Sequence, residues 1–77
     1  MKEVLEYVAR HLVDDPDAVE VTEEEGERSV VLRLKVAPDD MGKVIGKRGR
    51  TVRAIRSLVR AAASRQGLSS MVEIVET

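Results

Sequence analysis

The chain has 77 residues, of which 43% are hydrophobic and 35% are charged, and its formal net charge is -1 at pH 7. A chain of this length buries only about 60% of its unfolded surface, so we expect one small domain with a single core. Its apolar content is too high for a disordered segment. It contains no cysteine and one histidine, which excludes a disulfide framework, a thiolate metal site and a histidine cluster.

The N-terminal residues and the apolar runs bear on where the protein acts. Glu3, Glu6 and Arg10 interrupt the first apolar residues, so this segment does not have the core of a signal peptide. No apolar run approaches the length that spans a bilayer. We therefore expect a cytoplasmic protein with no membrane contact.

Charge is distributed unevenly along the sequence. Residues 1–40 contain 12 acidic and 5 basic side chains, whereas residues 41–77 contain 2 acidic and 8 basic ones. All 8 of these cations fall within residues 41–66, which contain no Asp or Glu. A basic stretch free of acidic residues is typical of a surface that meets a polyanion such as a nucleic acid.

A helix is predicted at the start of the chain. Apolar residues recur there at three- and four-residue spacing, as in an amphipathic helix over residues 2–13. These residues are Val4, Leu5, Val8 and Leu12. The helix should end at the turn-forming run 14–17, because Pro16 disfavours helical geometry at the residue before it.

Two strands are predicted next, joined by a hairpin turn at Gly26. Val19 and Val21 alternate with polar residues, as in a short strand. In the following strand, alternate residues face the core and the others face outward. The core-facing set is Val30, Leu32, Leu34 and Val36, and the outward set is Val31, Arg33 and Lys35. We expect these two strands to be antiparallel.

The second half of the chain predicts two helices separated by a short loop. The run 38–40, Pro-Asp-Asp, offers an N-cap oxygen and negative charge, so a short helix should begin there and end near Ile45. The loop 46–49 interrupts it, and a longer helix with one apolar and one basic face follows. The predicted apolar face is Val52, Ile55, Val59 and Ala62, and the basic face is Arg53, Arg56 and Arg60.

A closing strand completes the predicted fold. Gly67 is expected to cap the long helix, and residues 71–77 are rich in β-branched side chains, with Val72 and Ile74 facing the core. This order predicts one α+β domain over residues 1–77, in which three helices cover one face of a three-stranded sheet. The strands flanking the helical pair should be parallel if they are adjacent, which makes the sheet mixed.

The loop Gly46-Lys47-Arg48-Gly49 is the candidate functional motif. A glycine at each end lets a ligand approach the backbone without meeting a Cβ atom. The loop amides, the positive end of the following helix and the two cations all favour phosphate oxygen. The glycines alone are explained equally well by a simple turn between helices. The flanking aliphatic residues and the basic stretch favour a phosphate clamp.

The loop and its flanks resemble the signature of the KH family. That signature is an aliphatic pair, GxxG and two further aliphatic residues, here Val44-Ile45, the loop, Val52 and Ile55. The element order is similar to the type II, prokaryotic arrangement, and the whole chain resembles the small bacterial single-KH proteins of the KhpA type. The resemblance implies a single-stranded RNA-binding protein that acts in post-transcriptional regulation or as an RNA chaperone, with the bases in a shallow aliphatic groove.

Carried over residue by residue, the resemblance implies an RNA-binding site on the loop and its two helices. The implied RNA-binding residues are Gly42, Lys43, Val44, Ile45, Gly46, Lys47, Arg48, Gly49, Arg50, Val52 and Arg53. Ile45, Val52 and Ile55 are expected to be divided between core and groove floor, and the sequence leaves that division open. The far wall of the groove is expected from strand residues near Val31, Arg33 and Lys35.

The same residues exclude two nucleotide-binding motifs and leave one alternative function open. Three rather than four residues separate Gly42 from Gly46-Lys47, which excludes a Walker loop, and Val44 stands where GxGxxG requires glycine. No nucleophile, base and orienting group converge, so we expect no enzyme activity, no catalytic residue, no metal and no cofactor. The alternative is a protein-interaction module, in which the same surface pairs with a second copy or with a larger KH-containing protein. The resemblance implies such a homodimer or heterodimer.

Overall fold

The structure, a computed structural model, describes residues 1–76 as an α+β fold with a three-stranded sheet. Its elements are α1 (Lys2–Leu12), β1 (Glu20–Glu25), β2 (Ser29–Val36), α2 (Met41–Ile45), α3 (Arg50–Arg65) and β3 (Ser69–Glu76). Single 3-10 turns at Pro16–Ala18 and Pro38–Asp40 precede β1 and α2. The element order confirms the predicted type II KH architecture. Within the described part of the chain, no helix is long and apolar enough to cross a membrane.

The sheet has the predicted mixed topology, with β2 at its centre. The strand order is β1-β2-β3, in which β1 runs antiparallel and β3 parallel to β2. Gly26 closes the hairpin by donating its N–H to the carbonyl of Ser29 at 2.7 Å. β3 begins at Ser69, two residues before its predicted start, because its pairing with β2 already begins at Ser29. The predicted strand residue Thr77 lies outside the described residues.

The core lies between the sheet and the helices. On β2 the predicted alternation is confirmed, since its four core-facing side chains are each 0% or 1% exposed. α1 contributes Leu5 and Ala9, whereas Val4 is 42% exposed because its position on the helix turns it toward solvent. α3 buries Val52, Ile55, Val59 and Ala63. The buried face of α3 therefore ends at Ala63 and not at the predicted Ala62, which is partly exposed.

The C-terminus of α3 is closed by a backbone motif centred on Gly67. Gly67 has φ +72°, a left-handed conformation that suits glycine. Its N–H donates to the carbonyl of Ser64 at 3.0 Å, and the N–H of Leu68 donates to the carbonyl of Ala63 at 2.9 Å. This pair of bonds is the Schellman motif, so the predicted cap is confirmed. The chain then enters β3 antiparallel to α3.

Candidate nucleic-acid interface

The loop of residues 46–49, hereafter the 46–49 loop, is a tight turn between α2 and α3. Gly46, Arg48 and Gly49 all have positive φ, at 76°, 58° and 73°. The N–H of Gly46 donates to the carbonyl of Gly42 at 2.8 Å, and the N–H of Gly49 donates to the carbonyl of Gly46 at 3.1 Å. The backbone therefore leaves α2, turns sharply and enters α3 with only four residues between the helices.

The two glycines of the loop differ in their surroundings. A Cβ atom at Gly46 would lie 2.6 Å from Cβ and 2.9 Å from the backbone N of Thr51, both too close for a real contact. At Gly49 the nearest heavy atom to such a Cβ would be Cγ1 of Val52 at 3.9 Å. Gly46 is thus required by its conformation and by its packing, whereas Gly49 is required by its conformation alone.

Positive charge without an acidic partner surrounds the loop. Lys47, Arg48 and Arg50 are exposed, and no acidic side chain within residues 1–75 lies in ion-pair range of them. α3 is 16 residues long, and its N-terminus directs its free amide groups and the positive end of its dipole toward the loop. These three side chains are therefore available to an external anion.

Lys43, also a predicted site residue, has a different electrostatic environment. Its ammonium is ion-paired with Asp14 and lies 3.6 Å from Oδ1 of Asp40. The hydrogen bond to Asp14, with the nearby charge of Asp40, raises the pKa of Lys43 above its ordinary value. The charge of Lys43 is thus compensated within the chain.

Asp40 links the start of α2 to the segment that follows α1. It is 2% exposed, and its carboxylate accepts the N–H groups of Asp14 and Asp15, both at 3.1 Å. The bond from Asp14 is the main reason that the pKa of Asp40 lies below its ordinary value. The predicted N-cap role is wrong for this side chain, because its oxygens reach back to the preceding connection and make no cap bond to α2. Asp40 therefore fixes where α2, and with it the loop, sits against α1.

Two arginines of α3, Arg53 and Arg56, donate hydrogen bonds to backbone carbonyls. Arg53 donates from Nη2 to the carbonyl of Arg48 at 2.9 Å and from Nε to that of Gly49 at 3.3 Å. Arg56 donates from Nε to the carbonyl of Val72, in β3, at 3.3 Å. One arginine thus contacts the loop, and the other joins α3 to the edge strand.

A groove of about 580 Å³ lies between α3 and β3. Arg56 and Arg60 line it on the helix side, and residues 70–75 line it on the strand side. Because β3 is an edge strand, this groove opens at the edge of the sheet next to the basic helix. β3 is therefore the strand wall of this groove.

The predicted far wall on β2 is wrong. Val31, Arg33 and Lys35 lie on the face of the sheet opposite to the helices, because β2 is the central strand and its other residues face the core. Arg33 is engaged there by Glu24 at 3.0 Å and Glu73 at 3.1 Å, which together raise its pKa. This part of β2 joins the three strands by ion pairs across the outer face.

The aliphatic residues around the loop divide cleanly between core and surface. Ile45 is 37% exposed, whereas Val44, Val52 and Ile55 are 0%, 7% and 4% exposed. Ile45 alone of these offers apolar surface beside the loop. The other three side chains are buried, so they can affect ligand binding only by supporting the surface residues.

The structure brings most of the predicted site residues into one surface region. Ile45, the 46–49 loop, Arg50 and Arg53 form that region, and Gly42 lies on the exposed side of α2 with space around it. The sequence reasoning missed the packing role of Asp40 and the wall formed by β3. Among the described residues, no group of three or more His, Cys, Asp or Glu side chains could hold a metal ion.

Comparison with known proteins assigns this arrangement to a family. Residues 2–74 match the family model described as the KH domain of KhpA/KhpB. The chain is 55% identical over 75 residues to the RNA-binding protein KhpA of Clostridium acetobutylicum, covering 97% of this chain and 100% of that protein. It is 46% identical over 76 residues to the RNA-binding protein KhpA of Aquifex aeolicus, covering 99% and 96% of the two chains. The match extends over nearly the whole length of both proteins.

Proposed function

This chain belongs to the KhpA/KhpB family of KH domains, and from that premise we propose that it is an RNA-binding protein that holds single-stranded RNA at the 46–49 loop. The observation that carries the proposal is the set of three exposed cations without acidic partners, Lys47, Arg48 and Arg50, at the N-terminus of a long helix. Phosphate oxygens match both the side-chain charges and the helix dipole. Its relatives are named as RNA-binding proteins.

The path of the RNA follows from the direction of α3. Arg56 is six residues beyond Arg50, so it lies about 9 Å further along the helix, at the groove beside β3. We place the phosphates at the loop and the bases along this groove, because backbone contacts position a strand and base contacts select it. Ile45, directly before the loop, supplies exposed apolar surface there.

The affinity of one copy of this domain should be modest. The chain has one aromatic residue, Tyr7, which lies on α1 and does not line the groove. A base stacked on an aromatic ring would contribute about 1–3 kcal/mol, and this groove has no ring to offer. We expect micromolar or weaker binding for one domain, and tighter binding where a second site is linked to it.

The double substitution Lys47→Asp, Arg48→Asp tests the proposal. Short unstructured RNA is titrated against both proteins at several salt concentrations, and circular dichroism checks their folding. The wild type should show a log-log salt slope of about -1.4 to -2.8 if two to four phosphates are engaged, at about -0.7 for each. The folded double variant should lose binding, because it replaces attraction for phosphate by repulsion.

A matched control carries the same charge change away from the loop and away from the Leu58 face of α3. Lys2 lies at the start of α1, where its N–H donates to Glu23 of β1, and Arg28 lies in the β1–β2 turn, where its carbonyl accepts the N–H of Ser69. Ser69 follows the far end of α3, which the length of that helix puts about 24 Å from the loop. Lys2→Asp, Arg28→Asp should keep most of the RNA affinity. If the loop variant binds as well as this control, the loop is not the clamp.

A second candidate, association with a second copy or another KH protein, is favoured by the outer face of α3. Leu58 is 47% exposed there, next to Ala61 and Ala62, with Arg65 and Gln66 at its end. An apolar residue flanked by small ones lets another helix approach closely. Size-exclusion chromatography with light scattering should show a dimer that Leu58→Asp converts to a monomer. A monomeric wild type at high concentration would rule out self-association and leave the heterodimer to be tested with the partner.

Four further expectations about the whole protein stay predictions. They are that residues 1–77 form one KH domain, that the protein acts in the cytoplasm without membrane contact, that it catalyses no reaction, and that it uses no cofactor. We propose that its RNA binding serves post-transcriptional regulation or an RNA chaperone activity. Crosslinking in cells followed by RNA sequencing would identify the transcripts and test that role.

A further inference from the structure

The guanidinium of Arg53 makes hydrogen bonds within the protein, without RNA. It donates to two carbonyl oxygens of the 46–49 loop, those of Arg48 and Gly49, at 2.9 and 3.3 Å. Arg53 lies on the first turn of α3, directly after the loop, so its side chain reaches back over the turn it has just left. Of the cations near the loop, it is the one whose hydrogen-bond donors are directed at the loop itself.

The two carbonyls that it contacts belong to the strained part of the loop. Arg48 and Gly49 are consecutive residues with left-handed backbone angles, φ 58° and ψ 26° for Arg48 and φ 73° and ψ 16° for Gly49. Glycine adopts this conformation readily, whereas Arg48 has a Cβ atom that disfavours it. Such a residue stays in the left-handed region only when its surroundings hold it there. Both carbonyls converge on one guanidinium, which supplies that restraint.

We propose that Arg53 is a positioning residue, which holds the 46–49 loop in its RNA-binding conformation through the backbone carbonyls of Arg48 and Gly49 and does not itself contact a phosphate. This inference rests on the proposed RNA-binding function. It separates two kinds of cation around the loop. Lys47, Arg48 and Arg50 are exposed and unpaired within residues 1–75, whereas Arg53 is bound to the loop.

The arrangement also removes an electrostatic obstacle to anion binding. Carbonyl oxygens carry partial negative charge, and two of them lie in the part of the loop that precedes α3. The guanidinium of Arg53 caps both oxygens, so an incoming phosphate meets donors and cations rather than exposed acceptors. Loss of Arg53 would leave the loop freer to change conformation and would uncover these two acceptors.

Two substitutions of similar size, one with a hydrogen-bond donor and one without, isolate the hydrogen bonding of Arg53. In Arg53→Gln, the amide nitrogen stands at the same number of bonds from Cα as Nε of arginine, so it can still donate to the carbonyl of Gly49. Arg53→Met has a similar length and no donor. Both substitutions remove one positive charge, so any difference between them reports hydrogen bonding and not charge. Arg28→Met, a substitution at an exposed residue in the β1–β2 turn, is the control.

The loop is first measured without RNA. NMR solvent exchange of the Gly49 amide proton, which donates to the carbonyl of Gly46, reports how often the turn opens. Arg53→Met should raise this exchange rate about tenfold, because it removes two hydrogen bonds, and Arg53→Gln about threefold, because it removes one. Arg28→Met should leave the rate unchanged. An unchanged rate in Arg53→Met would overturn the proposal whether or not the protein binds RNA.

RNA titrations then test the absence of a phosphate contact. Arg53→Met should weaken binding about tenfold, since the binding-competent loop is populated less, while the log-log salt slope stays that of the wild type. Arg53→Gln should recover part of the affinity. A slope shallower by about 0.7 in both variants would show that Arg53 neutralises a phosphate directly and would overturn the proposal. Absence of RNA binding by the wild type would instead refute the proposed function, and the exchange measurement would still decide the role of Arg53 in the loop.

Discussion

Replacing each loop glycine by alanine should have clearly unequal effects on RNA binding. Gly46 combines φ 76° with ψ 172°, a region that is almost restricted to glycine, and a Cβ there would meet the backbone N of Thr51 at 2.9 Å. Gly49 has ordinary left-handed angles and open space, with its nearest neighbour at 3.9 Å from such a Cβ. The added methyl group is the same at both positions, but only Gly49 has space for it.

The magnitudes follow from these two environments. A left-handed conformation costs a residue with a Cβ about 1–2 kcal/mol, which sets the cost of Gly49→Ala. For Gly46→Ala, a conformation almost restricted to glycine and a backbone clash together cost about 3 kcal/mol or more. Because the loop is exposed, the chain relieves this strain by moving the loop rather than by unfolding. At tenfold for each 1.4 kcal/mol, RNA affinity should fall about tenfold for Gly49→Ala and about 100-fold for Gly46→Ala.

Fluorescence anisotropy with one labelled RNA measures the RNA affinity of both variants. Thermal unfolding followed by circular dichroism checks that each variant is folded. Thr51→Ala in the Gly46→Ala background should not restore binding, because the Cβ and backbone N of residue 51 remain in place. The reasoning is refuted if Gly49→Ala loses as much affinity as Gly46→Ala, or if Thr51→Ala restores the RNA binding that Gly46→Ala loses.

Further predictions concern charge, acid stability and the core. Lys47→Met should make the salt slope of RNA binding shallower by about 0.7, whereas Lys43→Met, which removes a cation already paired with acidic groups, should change it little. The pKa of Asp40 is lower folded than its ordinary 3.8, so its stabilising effect is present above that pH and is lost as pH falls through the folded pKa. Asp40→Asn should therefore lower Tm at neutral pH and reduce the drop in Tm on acidification; an equal drop in both proteins would contradict this. Leu32→Ala, at a fully buried site, should cost about 2–5 kcal/mol in urea denaturation, against under about 1 kcal/mol for the half-exposed Leu58→Ala; similar losses would contradict the described core.

Local patterns predicted most of the fold because they report directly on the backbone. The alternation along β2 matches the two faces of a strand, and Gly67 matches the left-handed residue that ends α3. The errors on the helices were of one residue: Val4 faces solvent and Ala63, not Ala62, closes the buried face of α3. A helical face is broad enough that spacing alone does not decide which of two neighbouring residues is buried.

The parts of the site that sequence reasoning missed depend on contacts between distant residues. The run 38–40 is predicted to supply an N-cap oxygen for α2, yet the oxygens of Asp40 accept amides about 25 residues earlier, at Asp14 and Asp15. A cap signal and a long-range tie use the same residue type, so composition does not distinguish them.

The groove wall was assigned to the wrong strand for a related reason. The sequence predicts that the strands flanking the helical pair are parallel, but not which one lies at the open edge. The order β1-β2-β3 makes β2 central and leaves β3 beside α3. The hydrogen bond from Arg56, on α3, to the carbonyl of Val72, on β3, shows that these two elements are neighbours.

The most direct test of the proposed clamp is to map which residues of the protein respond when RNA binds. Short single-stranded RNA is added to ¹⁵N-labelled protein, and amide chemical-shift changes are followed by NMR. The largest changes should fall on the 46–49 loop, on Arg50 at the start of α3, and on residues 70–75 along the groove, with β1 unaffected. Changes confined to the outer face of the sheet, around Arg33 and Lys35, or to the Leu58 face of α3 would contradict the account.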